Sequence, residues 1–335
     1  MSAPRCRLPR SVIIGLVAVT IASCGSDRGP GSRPGRSGGA ASFPREVTVQ
    51  EDLGYPKDAV LVIVHVDDLG MHRDETDASL ETMRYGLART GSVMVPAPDF
   101  RRFTELWKAD PTLDVGIHIT LNSEWKRFRW PAVLSPAEVP SLLDPDGFLW
   151  RNQDLFMEYA DPAEAVKEME AQVMTVLAHG LSPTHIDPHM GTVFYREELF
   201  QAMVRLAGEY NLVIPYAPPE KLQLLRRQGF VVADSFNGFY EIAGEESDPG
   251  VRRRTYYNWL RGLGPGVHFL YIHPARVTDE LAGIIETPYV RSGDFDIWTG
   301  SETAALADEL GIHFIGIREL QKVQEKRMAA PSGGT

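Results

Sequence analysis

Four short segments of the chain end an apolar run on Asp or His. They are His65-Val66-Asp67-Asp68-Leu69-Gly70, Gly116-Ile117-His118-Ile119-Thr120, His185-Ile186-Asp187-Pro188-His189 and Tyr271-Ile272-His273-Pro274. A lone histidine on a strand usually serves packing, but four such endings at equivalent positions point to one shared site. Asp67 and Asp68 are adjacent carboxylates behind apolar residues, a costly arrangement unless the charge is compensated. On a strand end their side chains point to different sides. One can then bind a metal while the other handles a proton, although such a pair can also cap a helix in a βα turn. One carboxylate and two imidazoles make a site for a divalent cation, with open positions for water and substrate.

The elements that must position these residues alternate along the chain. Ala59 to Val64 is a continuous apolar run rich in β-branched residues, which predicts a strand buried on both faces. Leu80, Met83 and Leu87 then fall at helical spacing within a helix expected over Asp74 to Thr90. A short strand at Ser92 to Val95, a helix from Asp99 to Lys108 and a strand from Leu113 to Leu121 follow. Asp161 and Pro162 open a helix through Ala178 as cap and first-turn residue. Further strands are expected at Thr184–Ile186, Leu212–Pro215, Val231–Ala233, Val267–Ile272 and Ile312–Ile315. Helices are expected between them at 195–209, 218–228, 249–262 and 299–310. Such alternation predicts a parallel sheet with crossover helices, here an imperfect (β/α) barrel of seven to eight parallel strands. A doubly wound open sheet is the alternative, but no Gly-rich nucleotide fingerprint follows the first strand. In a barrel the active site lies at the C-terminal ends of the strands, where all four motifs fall.

Composition narrows the function class. The 335 residues carry a net charge of -11, and no long basic run follows the first residues, which argues against a nucleic-acid partner. Two cysteines, Cys6 and Cys24, exclude a disulfide scaffold and a cysteine zinc site. Arg5, Arg7 and Arg10 precede the apolar stretch Val12 to Ala22, which reads as a secretory signal over residues 1–23. Ile21-Ala22-Ser23-Cys24 resembles a bacterial lipobox, so Cys24 is expected to be lipidated. A Gly/Ser/Pro/Arg-rich tether follows to residue 45. The expectation is an exported lipoprotein, anchored to a membrane and facing periplasm or cell exterior. One domain is expected over 46–325, with a disordered tail at 326–335.

The motifs Val66 to Gly70, Gly116 to Leu121, Thr184 to His189 and Ile272 to Pro274 resemble those of the YdjC-like carbohydrate deacetylases, the chitooligosaccharide deacetylase group related to NodB-type polysaccharide deacetylases. They occur in the family's order and span most of the chain after the tether. The resemblance implies a barrel-like fold and hydrolysis of an N-acetyl group on a sugar. It implies that Asp68, His118 and His189 bind one divalent metal, Mg or Zn, and that Asp67 is the general base. Two departures stand out: His65-Val66 replaces the common Asn-Ala, and Met190-Gly191-Thr192-Val193 follows His189 where further histidines are common.

Within that scheme His273, as imidazolium, is the candidate to protonate the departing amine, or else it makes a structural hydrogen bond beside Pro274. Asp187 is expected to orient a ligand histidine, and His185 to replace His189 if the latter turns away after Pro188. Trp125, Phe128, Trp130 and Trp150 lie in an irregular insertion. Trp125 and Trp130 are candidates to stack on an N-acetylated carbohydrate, or to form an apolar lid. Arg291 can reach the site or form a surface ion pair, and Arg252-Arg253-Arg254 reads as a solvated helix face. Competing readings are a metal-dependent hydrolase of another amide or ester, and a non-catalytic glycan-binding lipoprotein.

Overall fold

A computed structural model describes residues 47–240, 242–248 and 250–329. The apolar run from Ala59 becomes β1 (Val60–Leu69), buried from its second residue onward. The other strands are β2 (Thr90–Val93), β3 (Val115–Ile119), β4 (Ile186–Pro188), β5 (Ser235–Gly238), β6 (Gly266–Ile272) and β7 (Ile312–Phe314). All pairings are parallel, in the order β4-β3-β2-β1-β6-β5. β7 pairs with Val60 to Val62, the start of β1, while β2 pairs further along from His65.

Up to Glu209 the chain supplies helices α1 (Val49–Asp52), α2 (Arg73–Tyr85), α3 (Phe100–Ala109), α4 (Gln153–Tyr159), α5 (Pro162–Ala178) and α6 (Glu197–Glu209). The remainder supplies α7 (Pro219–Arg227), α8 (Gly250–Arg261), α9 (Asp279–Ala282), α10 (Pro288–Thr299), α11 (Ser301–Glu309) and α12 (Ile317–Ala329). α5 starts as its sequence dictates: the Asp161 side chain accepts the Ala163 N–H, and Pro162 occupies the first turn. Its buried Met169, Val173 and Val176 then face the core, each worth roughly 1.5–3 kcal/mol of transfer free energy.

The sheet curls but stays open, an imperfect (β/α) barrel of seven strands. The segments expected as strands at Leu212–Pro215 and Val231–Ala233 make only isolated links. Val213 bridges His185, Ala233 donates to the Pro215 carbonyl, and Asp234 donates to that of Val267. Pro215, Pro218 and Pro219 lack the N–H a ladder requires, so pairing stops there. β4 sits two residues later than expected, and β5 takes the place of the Val231–Ala233 strand. α10 and α12 were not anticipated, and α12 carries helix to Ala329, into the segment expected as a disordered tail.

The insertion after β3 is pinned to α5 by buried polar groups. The Glu168 carboxylate accepts the N–H groups of Val133 and Leu134 at 2.9 and 3.0 Å. Gln172 clamps both the N–H and the carbonyl of Thr120. The expected signal, Cys6, Cys24 and the tether lie outside the described residues. Among the described residues, no helix is long and apolar enough to cross a membrane.

Candidate functional site

The end of β1 is bent to serve the site. Register shifts between Val66 and Leu69, and Asp68 takes the left-handed conformation at φ 63. That conformation costs an Asp roughly 1 kcal/mol and turns consecutive carboxylates toward one cavity. Gly70 follows at φ 85, where an added Cβ would lie 3.2 Å from the Phe100 Cα. The chain leaving β4 is bent in the same way, with Met190 at φ 54 and Gly191 at φ 68 beside His189.

The structure brings Asp68, His118 and His189 together, all buried, with one donor atom of each within 4.8 Å of the others. Asp68 Oδ1 lies 3.2 Å from His189 Nδ1 and 3.5 Å from His118 Nε2, and makes no hydrogen bond. The opposite nitrogens are taken. His118 Nδ1 lies 2.7 Å from Asp187 Oδ2 and 3.1 Å from Ser92 Oγ, and His189 Nε2 lies 3.1 Å from Glu124 Oε2. Carboxylates behind both imidazoles fix their tautomers and aim the remaining lone pairs at Asp68, as carboxylate–histidine–metal sites require. The donor set therefore fits a divalent metal. His65, His185 and Asp187 also converge, but both ring nitrogens of His185 are committed, to His65 and to Thr184. His185 is thus not available as the substitute ligand, and His189 does not turn away.

Charge balance among these side chains runs in one direction. Burial opposes ionisation of Asp68, yet the neighbouring His118 and His189 imidazoles hold it well below the usual carboxylate range. Burial likewise disfavours a charged His189, but Glu124 and Asp68 raise it to about 9. Asp187, buried against His118, is lowered to about 2. The site is built to hold positive charge at the meeting point of the three donors.

The remaining candidates surround this point. Asp67 Oδ2 lies 3.9 Å from His118 Nε2 and 4.0 Å from His273 Nε2, while its Oδ1 is 2.7 Å from His65 Nδ1. The His273 backbone N–H donates to Asp294 Oδ2 at 2.8 Å, and its ring lies edge-on to Tyr240 and Tyr271. Arg291 is buried and donates to Asp68 Oδ2 at 3.0 Å and to Glu75. It therefore reaches the site, as a bracket on a carboxylate rather than as a surface ion pair. The cavity of about 380 Å³ is lined by Asp67, Asp68, His118, Glu124, His189 and His273 on one side. Phe194, Tyr216, Phe236, Tyr240 and Tyr271 line the other.

Trp125 and Trp130 are corrected. Neither lines the cavity: Trp130 is 0% exposed and donates to the Asn122 carbonyl, and Trp125 packs against Arg291. Arg252 is also not solvated. It is buried between Glu245, Asp294 and the Tyr240 carbonyl, while Arg253 and Arg254 pair with Glu302 and Asp248 at the surface. Glu75, Glu124, Tyr216 and Phe236 were not singled out in the sequence. Glu124 follows β3 by a few residues and could have been suspected there, but Glu75 reads as an ordinary first-turn helix residue.

An α/β parallel sheet whose strand ends gather two imidazoles and a carboxylate beside a second carboxylate defines a metal-dependent hydrolase. The model of the family described as YdjC-like protein matches residues 61–309, and the chain belongs to that family. It is 31% identical over 244 residues to a carbohydrate deacetylase of Thermus thermophilus, covering 70% of this chain and 84% of that one. A carbohydrate deacetylase of Thermoanaerobacter pseudethanolicus is 28% identical over 224 residues, covering 67% and 84%. A crystal structure from Enterococcus faecalis, of a protein named for cellobiose-phosphate cleavage, superposes with a TM-score of 0.67 at 24% identity, covering 78% of this chain and 99% of that one.

These findings correct the expectation of an exported lipoprotein anchored to a membrane through Cys24. The fold matches the Enterococcus protein over nearly the whole of that chain. Both of the deacetylase relatives are named for action on carbohydrate. The lipid anchor, the membrane partner and the periplasmic or exterior location are withdrawn.

Proposed function

We propose that this protein removes an N-acetyl group from a carbohydrate, with Asp68, His118 and His189 as the ligands of one divalent metal. The observation that carries the reading is the convergence of those three donors beside Asp67 Oδ2 and His273 Nε2, two proton-handling atoms 4.0 Å apart. Two nitrogens and one carboxylate oxygen suit Zn, and Mg is the alternative. When bound, the metal supplies a Lewis acid for the acetyl carbonyl and makes water more acidic. Asp67 Oδ2 takes the proton of the attacking water. His273 Nε2, held by Asp294 behind its backbone, gives a proton to the departing amine. Arg291 keeps Asp68 Oδ2 occupied, so that only Oδ1 faces the other donors.

The sugar would lie on the aromatic wall. Phe236 is 44% exposed and stacks on Tyr216 at 4.6 Å between centroids, presenting an apolar face next to the carboxylates. The catalytic unit is assigned to 46–325, which the matched span 61–309 supports. The test is acetate release from a panel of N-acetylated oligosaccharides with Zn or Mg, set against simple acyl esters. Asp67→Asn should lose at least 100-fold in kcat, about the worth of a general base. Full activity in that variant, or no acetate from any N-acetyl sugar, refutes the reading.

A further inference from the structure

Behind the site, a line of hydrogen bonds leads from Asp67 into the core. His65 Nδ1 lies 2.7 Å from Asp67 Oδ1, and His65 Nε2 lies 2.8 Å from His185 Nε2. His185 Nδ1 lies 2.8 Å from Thr184 Oγ1, which in turn lies 2.5 Å from Asp114 Oδ1. Asp114 Oδ2 accepts the Arg318 backbone N–H at 2.7 Å, in the first turn of α12. All five side-chain members are buried. Gly116 makes the room: an added Cβ there would lie 2.3 Å from His185 Cδ2.

The hydrogens of this ladder can be counted. Five groups are joined by four hydrogen bonds, and each bond needs one hydrogen. The Thr184 hydroxyl and two neutral imidazoles supply three. With both carboxylates ionised, one contact would set two lone pairs face to face inside a dry, low-dielectric interior. The ladder therefore holds one further proton. That proton can sit on Asp114, His185 or His65, and all four bonds stay intact in each case.

We propose that His65, His185, Thr184 and Asp114 form a one-proton relay that fixes Asp67 and moves charge away from it during the reaction. This rests on the reading of Asp67 as the base. With the relay proton on His65, uptake of the water proton by Asp67 Oδ2 would leave an imidazolium against a neutral acid. The relay proton then shifts inward. The His65 Nε2–H bond breaks as His185 Nε2–H forms, His185 Nδ1–H breaks as Thr184 O–H forms, and the former Thr184 proton passes to Asp114. Asp67 has gained one proton, Asp114 has gained one, His65 has lost one, and its Nδ1–H still donates to Asp67 Oδ1. The steps reverse when Asp67 gives its proton up.

The surroundings favour this direction. Burial raises the Asp114 carboxyl above its ordinary range. Burial and the neighbouring His65 push His185 well below its own, so it passes the proton rather than keeping it. Asp187, His118 and Arg318 are the other charged groups acting on His185, and Phe269 covers the His65 ring. None of the four relay members lines the cavity, so they are positioning residues.

The test uses the full chain loaded with Zn and labelled with ¹⁵N in its imidazoles. Wild type should show His65 and His185 N–H protons at low field and slow to exchange. Asp114→Asn keeps an oxygen for Thr184 but cannot take the proton, and Thr184→Val cuts the relay in the middle. Either variant should shift both imidazole signals, lower kcat about tenfold with KM within twofold, and leave Zn stoichiometry unchanged. Unchanged His65 and His185 signals in both variants overturn the relay, and shifted signals with kcat within twofold overturn its catalytic part. The imidazole signals need no substrate. If they respond while wild type releases no acetate, the deacetylase reading fails and the hydrogen count stands.

Discussion

Replacing Arg291 by Met should separate the protein's stability from its metal site. Arg291 is 1% exposed and is bonded to two carboxylates that are themselves buried, Asp68 and Glu75. The Met side chain fills much of the same space beside Trp125 but carries no charge. Both carboxylates then face each other's field with one cation fewer, and breaking a buried pair in this way costs about 3–5 kcal/mol. At 2–4 °C per kcal/mol for a domain approaching this size, the metal-free variant should melt roughly 6–20 °C below wild type. A divalent ion returns positive charge to Asp68, and ligands that bind only the folded state stabilise by mass action. Added Zn should therefore raise the melting temperature of the variant by more than it raises that of wild type. Thermal unfolding followed by circular dichroism, with chelator and with Zn, measures both differences. A loss below about 3 °C in chelator, on the same scale, would show that Glu75 and Asp68 do not depend on Arg291. An equal Zn shift in both proteins would show that the bracket and the metal donors are uncoupled.

Four further outcomes follow from the geometry. His118→Ala and His189→Ala should each lose bound Zn by elemental analysis, and full stoichiometry in either removes that residue from the ligand set. Gly238→Ala would put a Cβ 1.7 Å from Tyr271 Cζ; displacing that ring should cost about 1–3 kcal/mol and raise KM more than it lowers kcat. Phe236→Ala should weaken sugar binding by about 1 kcal/mol, roughly fivefold in KM, with melting temperature little changed. The Glu168 carboxyl is raised above its ordinary 4.5 by burial. The folded state therefore binds its proton more tightly than the unfolded chain does. Its contribution is fully present below 4.5 and is lost as pH rises through the raised value. Melting temperature against pH should lose that component in Glu168→Gln, and an unaltered pH profile would refute the assignment.

The catalytic side of the site was legible because its residues end strands. Asp67, Asp68, His118, His189 and His273 each follow a short apolar run, and a parallel sheet brings such ends to one rim. The aromatic side was not. Tyr216 and Phe236 leave segments broken by prolines or lying in a strand placed elsewhere, so no periodicity marked them. Trp125 and Trp130 drew attention by their type, yet the insertion folds back on Glu168 and Asn122 and buries them. Arg252 looked solvated beside Arg253 and Arg254, and only packing against α10 shows that it serves Asp294.

The sequence by itself determined the α/β class, the strand-end chemistry and the family motifs, because these depend on local pattern and chain order. Tertiary structure alone decided which nitrogen of each histidine is free. That choice is made by groups distant in sequence: Asp187 and Ser92 on His118, and Glu124 on His189. His185 shows the same division, since its place near the site was readable but its two hydrogen bonds were not. A hydrogen bond depends on distances of a few tenths of an ångström between chain segments, and linear spacing carries no such information.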